Sequence, residues 1–545
     1  MPQILNTEKF AEFLRSGIVG RPDTNRKPRT GHFDLAVEIH NFASTPREQR
    51  IMKKYLLILA VAAIGFSACH KHDDPDPVID QETENTYFYV NSFAYSTMKT
   101  YYLWEAEIAE AFSTWKYNDE PISKVRESRY KDADGNDIDK WTMLTDSYSE
   151  LVSSVNGVTT TYGLDYSLYY TDETYKYVCM VVNYTSADSP ARKAGLKRGD
   201  IIMKVSGNEM TADNYAEVLT NCFVNATECT LTLRDESTVK MTAIEMYEDP
   251  VLLYKTFSFN DKKVGYLVYN SFTLDSWERL IEACKYFKSE GISELILDMR
   301  YNSGGYVKAE YTLASMLAPQ SAVEGKEIFE TEVYNALLQS AYGDDTSVRF
   351  TSSFSFSSGS KAYVYSTSSA NIGITKLYAI ISSRSASASE SLLVGLGPYL
   401  DIDIIGKQSS GKYCSGIIYP ASSWVDDYKS SIEKNENMDV DSALKYTDDW
   451  GIYVMISRFA DANGDTPCMP DGFTPDYEIS DSPTQGYELG NENEAMLKAA
   501  LMRAGKTDFE SSRAPIATRL SPLEVSGGSA NAYRIFRPED LPVTK

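Results

Sequence analysis

The sequence predicts a multidomain α/β protein with a helical N-terminal part, a β-rich domain containing two helices, and an α/β core. Aromatic and apolar residues recur at helical spacing over residues 85–156. Short apolar runs separated by turn residues fill residues 158–248, and strand and helix patterns alternate over residues 251–505. With 545 residues, the chain is long enough for about three domains.

Residues 52–68 read as a secretory signal, because two lysines precede an apolar run that ends in small residues. The small residues before Cys69 resemble a bacterial lipoprotein cleavage box, which implies lipidation of Cys69 and a periplasmic or surface-facing anchor on a membrane of the bacterial cell envelope. An ordinary signal peptide with an incidental cysteine is the alternative. Residues 1–51 are then an upstream extension outside the fold, and residues 69–84 a flexible tether.

The positions of the histidines limit the chemistry that the chain can perform, because none lies after residue 72. The four histidines are His32, His40, His70 and His72, so histidine-dependent serine or cysteine hydrolysis, His-ligated zinc and His-anchored haem are excluded from the rest of the chain. The six cysteines after Cys69 contain no Cys-x-x-Cys pair, and we predict no cofactor and no metal site. Cys222 and Cys229 are expected either as a disulfide or as buried thiols.

The net charge of −24 disfavours binding to a phosphate backbone, and no nucleic-acid partner is predicted. Gly406–Lys412 has the outline of a phosphate-binding loop, but Tyr413 stands where the magnesium-ligating Ser or Thr would be. Nucleotide binding is therefore not the favoured interpretation of Lys412.

The β-rich segment has strand patterns at 178–182, 200–205 and 230–233 and helix patterns at 189–195 and 211–220. Its run Ser189-Pro-Ala-x-x-Ala-Gly-Leu-x-x-Gly-Asp-x-Ile202 resembles the bacterial PDZ domain. The resemblance implies a PDZ domain over 158–248 that binds a peptide C-terminus by strand addition. The residues in the position of its carboxylate-binding loop are Tyr162, Gly163, Leu164 and Asp165; the alternative is that they form only a turn and the start of a strand.

The α/β core has strand patterns at 264–270, 294–299, 378–382 and 403–405. A helix capped by Asp275 is predicted after the first strand, and further helices over 386–396 and 493–504. Residues 320–370 are predicted to be an insertion, and the tail 506–545 is left unassigned.

Two core segments have the composition of a reactive site. Ser385-Ala-Ser387-Ala-Ser-Glu390 joins a strand to a helix, where a serine meets unpaired amides at the positive end of the helix dipole. A second strand ends in Gly304-Gly305, whose backbone N–H groups can approach a ligand without side-chain interference. A serine nucleophile without histidine needs another base, and a desolvated lysine is the usual one; Lys412 is flanked by glycine.

Together these segments resemble the carboxyl-terminal processing peptidases, or tail-specific serine proteases, over roughly residues 85–505. The resemblance implies a ClpP/crotonase-like peptidase core with Ser387 as nucleophile and Lys412 as general base. The backbone N–H groups of Ala388 and of Gly304 or Gly305 are then the oxyanion donors, and Glu390 a structural residue at the helix start. The glutamine that follows the lysine in the family pattern is missing here, so the third member stays open between Ser415 and an acidic residue from elsewhere.

These observations predict an exported serine endopeptidase that cleaves polypeptides with exposed C-termini or unfolded segments through a Ser-Lys dyad and an acyl-enzyme. One alternative is a non-catalytic PDZ scaffold derived from such a peptidase. Another is an enzyme of the same fold that acts on a different acyl substrate, such as cell-wall peptide.

Overall fold

A computed structural model of the chain describes residues 79–358, 361–509, 520–523, 533–537 and 541. The predicted upstream extension, the signal segment 52–68 and the lipidation site Cys69 lie outside the described residues, as does most of the predicted tether. Within the described part, no helix is long and apolar enough to span a bilayer. The described residues from 85 onward belong to one compact unit.

The helices are α1 Gln81–Tyr101, α2 Ala109–Ser113, α3 Pro121–Glu127, α4 Tyr148–Val155, α5 Pro190–Lys193, α6 Tyr215–Phe223, α7 Trp277–Glu290, α8 Val307–Leu317, α9 Gln320–Gly325, α10 Ala336–Tyr342, α11 Ala388–Leu396, α12 Ala421–Asp427, α13 Lys429–Glu433, α14 Val440–Tyr446 and α15 Ala495–Arg503. Short 3₁₀ turns lie at Leu274–Ser276 and Pro483–Gln485.

The strands are β1 Met143–Thr145, β2 Val158–Thr161, β3 Leu164–Tyr170, β4 Tyr177–Thr185, β5 Ile201–Val205, β6 Asn208–Thr211, β7 Glu228–Leu233, β8 Thr238–Thr242, β9 Ile244–Tyr247, β10 Val251–Phe259, β11 Lys262–Tyr269, β12 Glu294–Asp298, β13 Gly304–Tyr306, β14 Ile328–Tyr334, β15 Ser347–Arg349, β16 Ser353–Ser358, β17 Lys361–Ser366, β18 Lys376–Ile381, β19 Asp401–Gly406, β20 Cys414–Pro420, β21 Gly451–Ala460, β22 Tyr477–Glu478, β23 Ser521–Pro522 and β24 Tyr533–Phe536.

The core is built on a six-stranded sheet in the order β10-β11-β12-β18-β19-β22. From β11 onward neighbouring strands run parallel, and α7 crosses from β11 to β12 as the sequence predicts. The central strands are short aliphatic runs that are buried, as expected of a parallel sheet covered by helices. Helix α7 begins at Trp277 with Ser276 at the capping position, rather than with Asp275 as predicted, because a 3₁₀ turn precedes it.

A second sheet faces the site and has the order β13-β24-β20-β21-β14-β15, with β1 paired to β21. It corrects one sequence-based assignment and gives a place to part of the tail that the sequence left unassigned. The segment predicted as an insertion, 320–370, supplies β14, which pairs antiparallel with β21. The unassigned tail supplies β24, which lies between β13 and β20 and runs parallel to both. A strand of four residues is too short to show a periodicity, so the sequence does not reveal the role of β24.

The β-rich segment forms a sheet in the order β23-β3-β4-β6-β5-β7-β8, with α5 and α6 packed against it. Ser189 caps α5 through its side chain, which accepts a hydrogen bond from the Arg192 N–H at 3.1 Å. The second helix starts at Tyr215 rather than at residue 211, because residues 208–211 pair with β4 and β5 as β6. Cys222 and Cys229 form a disulfide, the first of the two expected states.

The N-terminal helix begins earlier than the sequence suggests. The carboxylate of Asp80 accepts a hydrogen bond from the Thr83 N–H at 2.8 Å, which caps α1 at Gln81. The predicted flexible tether over 69–84 is therefore wrong for residues 81–84, which are helical.

Candidate active site

The predicted nucleophile lies at the junction of β18 and α11. Ser387 has a φ of +64°, a backbone conformation that costs a non-glycine residue on the order of 1–3 kcal/mol. This turn lifts the side chain off the helix axis. The Ser387 Oγ is buried, and it has no hydrogen-bond partner among the described residues. A buried hydroxyl without a partner is rare in a protein core, and here it stands at the N-terminus of a nine-residue helix.

The two serines that flank the nucleophile hold the serine-rich turn against the Gly-Gly strand end. Ser385 Oγ donates to the carbonyl of Met299 at 2.7 Å, and Ser389 Oγ donates to the carbonyl of Asn302 at 2.9 Å. The Asn302 amide in turn donates to the carbonyl of Tyr269 at 2.9 Å. The two motifs that sequence analysis singled out therefore meet at one place.

Glu390 ties the serine turn to the lysine loop. One carboxylate oxygen accepts the backbone N–H groups of Ser387 and Lys412, both at 2.9 Å. The other oxygen accepts the Gly411 N–H at 2.7 Å and the Ser409 hydroxyl at 2.5 Å. Burial raises the pKa of this carboxyl group, although the four donors counteract that effect. The predicted structural role of Glu390 is thus to set the relative position of two loops.

Lys412 is completely buried. Its Nζ donates to the Tyr453 hydroxyl at 2.7 Å and lies 5.6 Å from the centroid of the Trp141 ring. Burial lowers the pKa of the amine from 10.5 to about 7, because the charged form loses its hydration in this aromatic surrounding. A large share of Lys412 is therefore uncharged near neutral pH and able to accept a proton.

Tyr453 is the partner of the lysine that sequence reasoning missed. It lies on β21 in register with Ile418 of β20, and its hydroxyl also binds both backbone groups of Arg534. Ser415, which the sequence left open as a third member, lies elsewhere: its Oγ faces the Glu332 carboxylate at 3.5 Å and accepts a hydrogen bond from Arg534. A tyrosine inside a buried strand carries no motif, so only the sheet register shows its position.

The predicted oxyanion donors lie beside Ser387. A Cβ placed on Gly304 would come within 3.0 Å of the Ser387 Cβ, and the φ values of Gly304 and Gly305 are +105° and +145°, so only glycine fits. The Gly304 N–H donates to Asn302 Oδ1 at 2.9 Å. This corrects the expectation for Gly304, whose amide is already engaged; Gly305 and Ala388, the first residue of α11, stay as the candidates.

The loop at Tyr162–Asp165, which is expected to bind a peptide carboxylate through free backbone N–H groups, has a different geometry. The Gly163 N–H donates to Thr161 Oγ1 at 2.9 Å, Tyr162 is buried, and Leu164 is paired with Thr185 in the sheet. Gly163 is therefore not available to a peptide carboxylate in this arrangement, which corrects that part of the prediction.

Asp165 has an unexpected partner. Its carboxylate accepts both terminal N–H groups of Arg384, at 2.9 and 2.7 Å. Arg384 immediately precedes the serine-rich turn, so this bidentate ion pair connects β3 of the β-rich domain to the segment that holds Ser387.

Comparison with known proteins agrees with this geometry. Residues 263–479 match the model of peptidase family S41. A Staphylococcus aureus protein named "Probable CtpA-like serine protease" is 28% identical over 167 residues, which are 29% of this chain and 33% of that protein. The match thus spans about a third of that relative.

A carboxyl-terminal-processing protease of Picosynechococcus is 21% identical over 322 residues, 57% of this chain and 64% of that protein. A solved structure assigned to the S41 proteases, from Bacteroides fragilis, is similar with a TM-score of 0.58 and 20% identity, covering 80% of this chain and all of that one. This last likeness shows a shared mixed α/β fold. The resemblance to carboxyl-terminal processing peptidases is confirmed.

Proposed function

We propose that this chain is a serine endopeptidase that cleaves polypeptides through Ser387 and Lys412, because residues 263–479 match the model of peptidase family S41. The observation that carries the proposal is the pairing of two unusual groups on loops joined by Glu390. One is a buried hydroxyl without a hydrogen-bond partner, and the other is a buried amine whose pKa lies near 7.

In the proposed mechanism, Lys412 turns from Tyr453 toward Ser387 and takes the hydroxyl proton as the oxygen attacks the substrate carbonyl. The carbonyl oxygen becomes negatively charged beside the N-terminus of α11, where the Ala388 and Gly305 amides are placed to donate to it. Lys412 then returns the proton to the leaving amine, and water hydrolyses the acyl-enzyme. Tyr453 orients the lysine in the role that the family pattern gives to glutamine.

The β-rich domain is proposed to be a PDZ module that captures the C-terminus or an unfolded segment of the substrate. Support comes from helix α5, which Ser189 caps, and from the outer edge of β3, where the short strand β23 already pairs as an added strand. The ion pair of Asp165 with Arg384 gives this module a direct connection to the serine turn. A lipid anchor on Cys69 would hold the enzyme at the cell envelope; its test is metabolic labelling with a fatty-acid analogue, compared between wild type and Cys69→Ala.

The peptidase assignment is tested on the purified chain from residue 79 onward, with casein as substrate and a serine-directed fluorophosphonate probe. We expect casein cleavage and labelling of Ser387, mapped by mass spectrometry, and the loss of both in Ser387→Ala. Ser385→Ala is the matched control, because its hydroxyl lies in the same turn but binds the Met299 carbonyl.

Retained cleavage by Ser387→Ala would contradict the assignment. Peptide binding without an acyl-enzyme would favour the non-catalytic scaffold, and cleavage of wall fragments but not of casein would favour the other acyl substrate.

A further inference from the structure

The C-terminal part of the chain touches the proposed substrate path at two places. Ser521–Pro522 pairs antiparallel with the outer edge of β3, and the Leu523 N–H donates to the Leu168 carbonyl at 3.0 Å. This is the edge and the orientation in which a peptide would add to a PDZ module. The second place is the strand β24, Tyr533–Phe536, beside the nucleophile.

Tyr533 places its carbonyl next to Ser387. It is in parallel register with Gly304, and its N–H donates to the Ser303 carbonyl at 3.1 Å. A Cβ on Gly304 would lie 2.1 Å from the Tyr533 carbonyl oxygen and 3.0 Å from the Ser387 Cβ. The Tyr533 carbonyl oxygen and the Ser387 side chain are therefore both close to Gly304. In a parallel ladder of this register, the Tyr533 carbonyl faces the amide of Gly305, a proposed oxyanion donor.

The other side of the same peptide bond faces the base. The Arg534 N–H donates to the Tyr453 hydroxyl at 3.1 Å, and that hydroxyl donates to the Arg534 carbonyl at 3.2 Å. Tyr453 also accepts the hydrogen bond from Lys412. The carbonyl of the Tyr533–Arg534 peptide bond thus lies beside the nucleophile, and its nitrogen is connected to Lys412 through the Tyr453 hydroxyl. A peptide bond that is to be cleaved must lie in this way, near both the nucleophile and the base.

The Arg534 side chain fills a pocket of three buried glutamates. Its Nε donates to Glu310 at 3.0 Å, and its two terminal nitrogens donate to Glu330 and Glu332. The guanidinium also lies 4.8 Å from the centroid of the Phe459 ring. Burial raises the pKa of Glu310 and of Glu330, although Arg534 counteracts that effect, and a Glu310 oxygen stays buried without a hydrogen-bond partner. A pocket with this excess of acceptors is made for a basic side chain.

We infer that the C-terminal segment occupies the substrate path as a resident inhibitor, and that the pocket of Glu310, Glu330 and Glu332 selects an arginine immediately after the bond to be cleaved. The inference rests on the proposed function, since it assigns the substrate class and the regulation of the same site. Ser387 and Lys412 are both fully buried while β24 is in place, so a substrate can reach them only after the segment leaves.

The test removes the segment after folding, because a chain synthesised without β24 lacks a strand between β13 and β20. A recognition sequence for a site-specific protease is inserted between residues 523 and 533, cut in the folded protein, and the released piece is separated. We expect casein cleavage and probe labelling of Ser387 to rise at least about tenfold. A site that is open in fewer than about one molecule in ten works at less than a tenth of its full rate. An added peptide with the sequence of residues 533–537 should reverse the rise.

Selection for arginine is tested with the same peptide carrying citrulline in place of Arg534, which keeps the shape and removes the charge. We expect its inhibition constant to be weaker by roughly tenfold to a hundredfold, the effect of losing charge-assisted hydrogen bonds. Glu332→Gln should narrow this difference between the two peptides. Glu327→Gln, an exposed glutamate near β14, should leave it unchanged.

The two proposals fail in different ways. Equal turnover before and after release, with no preference for the arginine peptide, overturns the inference and leaves the peptidase assignment intact. A released protein that binds the arginine peptide in preference to the citrulline peptide, but never labels at Ser387 or cleaves casein, refutes the peptidase assignment and supports the pocket.

Discussion

Replacing Lys412 by methionine should stabilise the fold while it abolishes cleavage. The pKa of Lys412 falls from 10.5 in the unfolded chain to about 7 in the folded protein. At pH 7 the unfolded chain therefore binds a proton that half of the folded molecules lack, and this difference costs the folded state about 4 kcal/mol. Methionine removes that cost and gives up one hydrogen bond to Tyr453, worth about 1 kcal/mol.

The net expectation for Lys412→Met is a free energy of unfolding about 3 kcal/mol above that of the wild type at pH 7. Since the folded pKa is lowered, the wild type regains stability as pH rises from 7 toward 10.5, so the advantage of the variant should shrink to about 1 kcal/mol at pH 9.

Urea denaturation of both proteins at pH 7 and pH 9 measures this difference, and other titrating groups cancel in the comparison. Lys429→Met, at an exposed lysine, should stay within about 0.5 kcal/mol of the wild type. A Lys412→Met protein that is less stable than the wild type, or an advantage that does not change with pH, would refute the buried, neutral lysine on which the mechanism depends.

Three further predictions concern the same loops. The value of kcat/KM should rise with pH through about 7 as Lys412 loses its proton, and Lys412→Met, which cannot accept a proton, should show no cleavage at any pH in this range. Glu390→Gln replaces one accepting oxygen by an amide that donates, so up to two of the four groups that donate to Glu390 lose their acceptor, at a cost of about 1–3 kcal/mol of stability each. The variant should therefore have a lower stability and a lower kcat. Glu478→Gln, at an exposed carboxylate, should change neither. Asp165→Asn and Arg384→Ala should each slow cleavage of casein. If both act through their ion pair, the double variant should be no slower than the slower single variant, and a double-mutant cycle of cleavage rates measures this.

The sequence could predict what depends on local pattern. The parallel core follows from apolar runs of strand length alternating with a helical stripe, and these appear as β11, α7 and β12 with boundaries shifted by two residues or fewer. The segments that contain Ser387, Lys412 and Gly304–Gly305 stand out because small residues around a reactive group are unusual, and the resemblance to the peptidase family implies the role of each residue. Their meeting at one place needed the structure, since Glu390 and the flanking serines make the connection through backbone groups that have no sequence signature.

The positions that sequence reasoning missed are those fixed by pairing between distant strands. The Tyr453 hydroxyl reaches Lys412 only because β21 pairs with β20 in a register that sets Tyr453 opposite Ile418, and a shift by one residue would turn its side chain to the other face of the sheet. Arg534 is one of four arginines in the tail 506–545, and no motif distinguishes it from the others. Nothing near it in the chain indicates that three glutamates from α8 and β14 surround it.

Tyr453 brings these observations together. A hydroxyl group has one proton to donate and two lone pairs to accept with, and this one uses all three: it accepts from Lys412 and from the Arg534 N–H, and it donates to the Arg534 carbonyl. While the C-terminal strand is bound, Lys412 and the strand therefore share the Tyr453 hydroxyl, and the Ser387 hydroxyl has no hydrogen-bond partner among the described residues. Departure of the strand removes two of the three bonds of Tyr453 and frees the lysine to turn toward the serine, so the same event that opens the path to the substrate also completes the nucleophile and its base.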